Sequence, residues 1–182
     1  ELYVGNARQA AQFYRHCFGF SIVAYAGPET KVRDRASYVL RQGDVTLVLT
    51  APLGPDGELA EHVRRHGDGV RDIALRVDDV EQAYQATVER GARGIQPPEF
   101  FRDEHGVVGR ATIATYGDTV HSFIQRDEYT GPFWPRYVAR EIPGRSVGLQ
   151  AIDHVVGNVE LGRMNHWVDF YARVMGFSQL IH

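Results

Sequence analysis

The residue with the most promising chemistry is His154, an imidazole that directly follows the carboxylate of Asp153 in an apolar, β-branched stretch. Histidine side chains bind metal ions and transfer protons at physiological pH. A strand histidine that makes one ordinary hydrogen bond is the commoner case, and His154 taken alone favours that interpretation. Its meaning depends on the elements that position it.

A second pair of imidazoles, His62 and His66, lies four residues apart on a predicted helix. Side chains at this spacing share a helix face and can hold a metal ion. A zinc-protease helix would carry glutamate where Val63 stands, so the pattern favours a surface pair. The remaining histidines have no partner that the sequence identifies: His16, His105, His121, His166 and His182.

Three copies of one motif, a strand followed by a polar cap and an amphipathic helix, organise the chain. The predicted helix caps are Asn6, Asp79 and Asn158, and the closing glycines are Gly19, Gly91 and Gly176. Capping explains the two asparagines and the aspartate without any ligand role. On the first helix the pattern predicts that Cys17 lies on the apolar side.

Copies one and three also match in residue type. Val-Gly-Asn recurs at 4–6 and 156–158, Phe-Tyr at 13–14 and 170–171, and Gly-Phe at 19–20 and 176–177. The Val-Gly-Asn to Phe-Tyr spacing is 14 residues in copy three against 9 in copy one, which predicts a third helix five residues longer. The helical spacing of Trp167, Phe170 and Tyr171 predicts core packing.

Short segments rich in β-branched and aromatic residues predict strands between the helices. They lie at 20–25, 37–40, 45–50, 73–77, 111–115 and 120–125. Each helix is therefore followed by several strands, which gives a βαβββ unit and differs from alternating βα folds. The predicted fold class is α+β with paired βαβββ modules.

The predicted domains are residues 1–130 with two βαβββ units, a proline- and glycine-rich linker at 131–148, and the start of a second domain at 149–182. The chain opens on Glu1 within an apparent strand and ends with another just begun at Gln179–His182. We therefore expect it to be the front portion of a longer protein.

Composition excludes several classes of function. The net charge of -3 comes without a basic stripe, so nucleic acid is not an expected partner. Cys17 is the one cysteine and permits no intrachain disulfide, which favours a cytoplasmic location. No apolar run of about 18 residues and no signal peptide are visible, so no membrane association is expected.

Four segments resemble the 4-hydroxyphenylpyruvate dioxygenase family, whose vicinal-oxygen-chelate superfamily builds half-barrels from paired βαβββ units. They are Gln150–Glu160, Met164–Tyr171, His66–Val70 and Asp103–Gly106. The resemblance covers nearly the whole chain. It implies a dioxygenase that uses Fe(II), a small 2-oxo acid and O2, and that forms a homo-oligomer.

The resemblance also implies residue roles. His154 matches the first of three iron ligands, and the other two would lie beyond His182. Such a 2-His-1-carboxylate set leaves iron positions open for substrate and O2. Val156 matches a position that lines the substrate pocket, although core packing explains it equally well. No catalytic acid or base is assigned.

The first two units lack a comparable ligand set. The same pattern places Leu2, Asp72 and Ser122 at the three ligand positions, and these side chains cannot form a stable iron site. We therefore expect a degenerate, supporting domain. Because one imidazole does not hold Fe(II) at useful affinity, we expect residues 1–182 alone to be inactive.

Three other functions remain open at this point. A hydroxymandelate synthase would use the same substrate and iron but hydroxylate the benzylic carbon. A binding module of the glyoxalase/bleomycin-resistance type would need only two βαβββ units, which leaves the third copy unexplained. A glyoxalase-like or extradiol enzyme would need metal ligands within the first two units.

Overall fold

A computed structural model of the chain describes residues 1–180, which form two compact units. Unit 1 comprises Glu1–Arg71 and Thr130–His154, and unit 2 comprises Asp72–Tyr129 and the described part of Val155–His182. The elements in chain order are β1 (Leu2–Tyr3), α1 (Ala7–Phe18), β2 (Ser21–Ala26), β3 (Arg35–Gln42), β4 (Val45–Pro52), α2 (Glu58–His66), β5 (Gly69–Val70), β6 (Leu75–Arg76), α3 (Val80–Glu89), β7 (Gly94–Asp103), β8 (Gly106–Ala114), β9 (Val120–Gln125), β10 (Val138–Ile142) and α4 (Met164–Met175).

Unit 1 contains one complete βαβββ motif, from β1 to β4. Its sheet has the strand order β10-β2-β3-β4-β1-β5, and β1 runs parallel to β4 with Leu2 opposite Leu49. Helix α1 packs on this sheet through Ala7 and Ala11, whose small buried side chains allow a close approach. Asn6 caps the helix as predicted, because its side chain accepts a hydrogen bond from the backbone of Gln9.

Unit 2 contains the second βαβββ motif, from β6 to β9, so the predicted paired modules are confirmed. The strand order is β6-β9-β8-β7, and β6 is parallel to β9. Asp79 caps α3 as predicted, accepting a hydrogen bond from the backbone of Gln82 at 2.9 Å. Phe170 and Val174 of α4 are buried in the same core as Val80, which confirms the core prediction for Phe170.

Three strands were not predicted, and one of them, β5, has only two residues. Strand β7 contains Pro97 and Pro98, which disfavour a strand prediction because proline cannot donate a backbone hydrogen bond. The two prolines are tolerated because β7 is an outer strand of its sheet. Strand β10 lies inside the predicted linker and pairs antiparallel with β2. Its residues are mostly exposed, so the pairing depends on backbone hydrogen bonds that leave little trace in the sequence. The domain division at residues 130 and 149 stays a prediction.

The third copy differs from its prediction. Residues 156–158 form no strand, and α4 begins at Met164 after Arg163. Asn158 is therefore not the cap, and the expected five extra residues are wrong, since α1 and α4 both have 12 residues. A turn precedes the helix, with the Arg163 amide bonded to the Glu160 carbonyl and Gly162 at a φ of 77°.

Cys17 is exposed, contrary to the prediction. Six residues at about 100° each place it about 120° around the helix from the buried Ala11, off the sheet-facing side. Within residues 1–180, no helix is both long enough and apolar enough to cross a bilayer. His182 and the last part of the strand predicted at 179–182 lie outside the described residues.

Candidate metal centre

His154 lies in an extended segment without helix or strand, and its side chain is 73% exposed. Its Nδ1 atom is 2.6 Å from the Oδ2 atom of Asp153. A carboxylate only accepts hydrogen bonds, so Nδ1 carries the proton of this contact. In the tautomer with its proton on Nδ1, the lone pair of Nε2 is available to a metal ion.

This arrangement fits a metal ligand. Histidines that bind metals commonly donate their second ring N–H to a carboxylate, which fixes the tautomer and the ring orientation. Within the described part of the chain, His154 belongs to no cluster of three metal-binding side chains. Asp153 thus orients the imidazole of His154, and its role as a metal ligand stays a prediction.

Val156 is 74% exposed. Val156 therefore does not pack in the core formed by the described residues. Its side chain is accessible two residues from His154, and its contact with a substrate stays a prediction.

Asp72 and Ser122, placed at two ligand positions by the sequence pattern, do lie side by side in unit 2. The Ser122 hydroxyl donates to Asp72 Oδ2 at 2.5 Å, and the Ser122 amide donates to Oδ1 at 3.0 Å. Both residues are buried. The pattern thus located a real pair of neighbouring side chains, since Asp72 forms an isolated bridge to Val120, two residues before Ser122.

Two further side chains complete this cluster. The hydroxyls of Thr112 and Ser122 are 3.0 Å apart, and the Arg110 guanidinium lies 3.6 Å from Asp72 Oδ2. A buried carboxylate needs such a cation and such donors to offset its lost hydration. The hydrogen bonds and the cation therefore satisfy the buried carboxylate of Asp72, which gives the cluster a structural role.

Leu2, at the remaining ligand position, is a member of β1. It pairs with Leu49 on one side and with Val70 on the other, and it packs against the apolar core of unit 1. An aliphatic side chain has no ligand atom, so this position is structural.

Sequence reasoning missed the role of His121, which is buried in unit 2. Its Nδ1 donates to the Ile73 carbonyl at 2.9 Å, and its Nε2 accepts from the Tyr171 hydroxyl at 2.9 Å. Thr115 Oγ1 lies 3.0 Å from the same hydroxyl. The only signal in the sequence is the position of His121 in a predicted strand, which gives no partner.

Tyr171 thus ties α4 to the sheet of unit 2. Burial is the main cause that raises the pKa of Tyr171 to about 12. The Tyr171 hydroxyl bonds to both His121 and Thr115 and thereby docks α4 on the sheet of unit 2.

His62 and His66 lie on α2, as predicted, with ring centroids 4.5 Å apart. The Tyr3 ring packs edge-on against His62 at 5.3 Å. His66 is exposed and His62 is partly buried. Unit 1 therefore shows them as an aromatic contact pair on the helix surface.

Family membership is decided by sequence. Residues 1–112 match the family described as the Glyoxalase/Bleomycin resistance protein/Dioxygenase superfamily. The chain belongs to this superfamily. Its paired βαβββ units are the fold that the superfamily resemblance implied, and that prediction is confirmed.

Among superfamily members, the chain is 41% identical over 185 residues to a 4-hydroxyphenylpyruvate dioxygenase of Dictyostelium discoideum, covering 97% of the chain and 50% of the relative. It is 40% identical to the enzyme of that name from Tetrahymena thermophila, covering 97% and 46%. The chain spans about half the length of these curated relatives.

Solved structures also resemble the fold of this chain. A mutant 4-hydroxymandelate synthase from Streptomyces coelicolor has a TM-score of 0.83 and 32% identity, over 99% of this chain and 52% of that one. A methylmalonyl-CoA epimerase from Mycobacterium tuberculosis has a TM-score of 0.56 at 17% identity, over 68% and 83%. The second likeness concerns the fold alone.

Proposed function

We propose that the chain is the N-terminal half of a non-haem Fe(II)-dependent 4-hydroxyphenylpyruvate dioxygenase, which converts 4-hydroxyphenylpyruvate and O2 to homogentisate and CO2 in tyrosine catabolism. The observation that carries this proposal is the 41% identity to a relative of that name over 97% of the chain. The oriented imidazole of His154 supports it, because such an enzyme needs a metal ligand there.

In this proposal His154 binds the metal through Nε2, while Asp153 holds Nδ1 and thereby fixes the ring. When bound, Fe(II) supplies open coordination positions for a 2-oxo acid and for O2. The protein contributes orientation and the exclusion of water. Val156, exposed and apolar, would line the substrate pocket near this ligand.

The polar cluster of unit 2 argues against a metal centre at Asp72 and Ser122. Asp72 and Ser122 bond to each other, so a metal ion would have to displace a buried ion pair with Arg110 to bind there. A glyoxalase-like or extradiol enzyme, which would need ligands at these positions, is therefore not proposed. We also propose a cytoplasmic homo-oligomer without nucleic-acid or membrane partners.

The test is O2 consumption with 4-hydroxyphenylpyruvate by Fe(II)-loaded protein expressed from its complete natural coding sequence. We expect homogentisate, and a loss of at least about hundredfold in rate for His154→Ala, since a ligand matters at least as much as the residues that orient it. His16→Ala, which removes an exposed imidazole from α1, should keep the native rate. Residues 1–182 alone should show no uptake.

A hydroxymandelate synthase is the second candidate, favoured by the TM-score of 0.83 to a solved structure of that name. The two candidates differ in product, since the synthase would release 4-hydroxymandelate. Ligand binding without any O2 consumption would contradict both and would support a binding module of the glyoxalase/bleomycin-resistance type.

A further inference from the structure

One buried side chain, Gln42, connects three parts of unit 1. It is the last residue of β3 and is 6% exposed. Its Nε2 atom donates to the Phe18 carbonyl at the end of α1, at 2.6 Å. Its Oε1 atom lies within 3.2 Å of three consecutive backbone amides, those of residues 147, 148 and 149.

A glutamine suits this position chemically. Helix ends leave carbonyl groups without helical partners, and three successive amides form a concave site for an electronegative atom. The side-chain amide of glutamine provides a donor for the former and an acceptor for the latter on separate atoms. The Ser146 hydroxyl also donates to Oε1, at 2.9 Å.

The turn after Gln42 is shaped for the same segment. The Asp44 amide donates to the Gln150 carbonyl at 2.7 Å. Gly43 has a φ of 54°, and a Cβ atom there would lie 2.6 Å from the Leu149 carbonyl oxygen. The backbone of 149–150 therefore approaches the turn at a distance that only glycine permits.

This anchored segment leads directly to His154. Four residues span at most about 14 Å, so fixing residue 150 confines the imidazole to a small volume. The next contact upstream is the Gly144 amide on the Ser21 hydroxyl, at 3.1 Å. Without both the Gln42 contacts and the Asp44–Gln150 hydrogen bond, the tether from residue 144 would be ten residues, or about 35 Å.

We propose that Gln42 is a positioning residue, which anchors residues 146–150 and thereby places His154 for metal binding. The anchor itself is a property of unit 1, whereas its role toward iron rests on the proposed function. Loss of the whole anchor would lengthen the tether from four to ten residues and dilute the imidazole about fourfold on loop-closure statistics. The Asp44–Gln150 hydrogen bond keeps the effect of losing Gln42 alone within that limit. We therefore expect an effect on metal affinity that is measurable but smaller than the loss of His154.

The first arm measures amide hydrogen exchange at residues 147–149 in the protein from its complete coding sequence. Gln42→Leu keeps the side-chain size and removes both hydrogen-bonding roles, so exchange should accelerate about tenfold or more. Gly43→Ala should accelerate it through the clash with Leu149. The matched control is Gln125→Leu, which removes an acceptor from the Val80 amide in unit 2 and should leave residues 147–149 unchanged.

The second arm measures anaerobic Fe(II) binding by competition with a chromophoric chelator. Gln42→Leu should raise the Kd by up to about fourfold, and His154→Ala should raise it more. Native exchange in both Gln42→Leu and Gly43→Ala would overturn the anchor. Faster exchange with native Kd, while His154→Ala weakens binding, would overturn the positioning role. A native Kd in His154→Ala would refute the proposed function and the positioning role, leaving the exchange result for the anchor intact.

Discussion

The first and third copies of the repeat end in the same way but begin differently. Helices α1 and α4 both close on a left-handed glycine, Gly19 at a φ of 74° and Gly176 at 72°. In each, the glycine amide bonds to the carbonyl of the repeated tyrosine, Tyr14 or Tyr171. The shared Phe-Tyr and Gly-Phe pairs thus close both helices with the same local structure.

The opening sequences are also alike, yet they differ in structure. Val4 directly follows the paired strand β1 in the chain and is 2% exposed. Val156 lies in a segment without strand pairing and is 74% exposed. A helix makes its hydrogen bonds within itself, but a strand needs neighbours on its edges. The repeated sequence therefore determines its helix locally, whereas its strand forms only where neighbouring strands are available to pair with it.

The largest expected difference concerns the repeated phenylalanines. Phe170 is 9% exposed and Phe13 is 53% exposed. We expect Phe170→Ala to lower the free energy of unfolding of unit 2 by about 3 kcal/mol, and Phe13→Ala to cost unit 1 about 0.5 kcal/mol. Urea titrations followed by amide exchange in each unit measure both, and equal costs would contradict the comparison.

The closing glycines should differ next. A Cβ atom on Gly19 would lie 2.2 Å from the Arg145 carbonyl oxygen, whereas Gly176 has open space. Gly176→Ala should therefore cost only the left-handed backbone penalty, about 1 to 2 kcal/mol. Gly19→Ala should cost at least about 1 kcal/mol more, through the clash. Thermal unfolding of the two variants tests the order, and a larger loss in Gly176→Ala would refute it.

The asparagines give a smaller contrast. Asn6 caps α1 with a 3.0 Å hydrogen bond to the Gln9 amide, whereas α4 begins six residues after Asn158. Asn6→Ala should destabilise unit 1 by about 1 kcal/mol, and Asn158→Ala should leave α4 unchanged. Circular dichroism during urea unfolding compares them, and a cost for Asn158→Ala would show that α4 begins earlier.

The smallest effect is confined to high pH and to the tyrosine of copy three. Burial raises the pKa of Tyr171 to about 12, above the unfolded value of about 10. Its contribution to stability is therefore complete below pH 10 and is lost as the pH rises through 12. Tyr171→Phe should remove one ionisation with a midpoint near 12 from the tyrosinate absorbance titration. An unchanged titration curve would contradict the buried phenol.

Much of the fold could be predicted from the sequence because it is encoded in local patterns. The caps Asn6 and Asp79 and the closing glycines define helices without reference to distant residues. The repeat gave both βαβββ units. What it could not give was β10, which depends on the exposed edge of β2, and the start of α4, which the Gly162 turn delays.

The same distinction between local patterns and distant contacts applies to the candidate site. The motif around His154 and the neighbouring positions of Asp72 and Ser122 follow from aligned patterns in the chain. The partners of His121 and Gln42 do not, because Tyr171 lies 50 residues away from the former and residues 146–149 lie more than 100 from the latter. Contacts of this range have no periodic signal in one sequence.

Strand β10 has a further consequence for the behaviour of the protein at high concentration. It covers the edge of β2, whose unpaired amides would otherwise offer a template for strands of other molecules. Strand β10 itself carries the charges of Arg140 and Glu141, and its register with β2 is irregular between Ala139 and Ile142. Both features oppose the addition of another strand, so a segment with the composition of a linker protects the protein against aggregation.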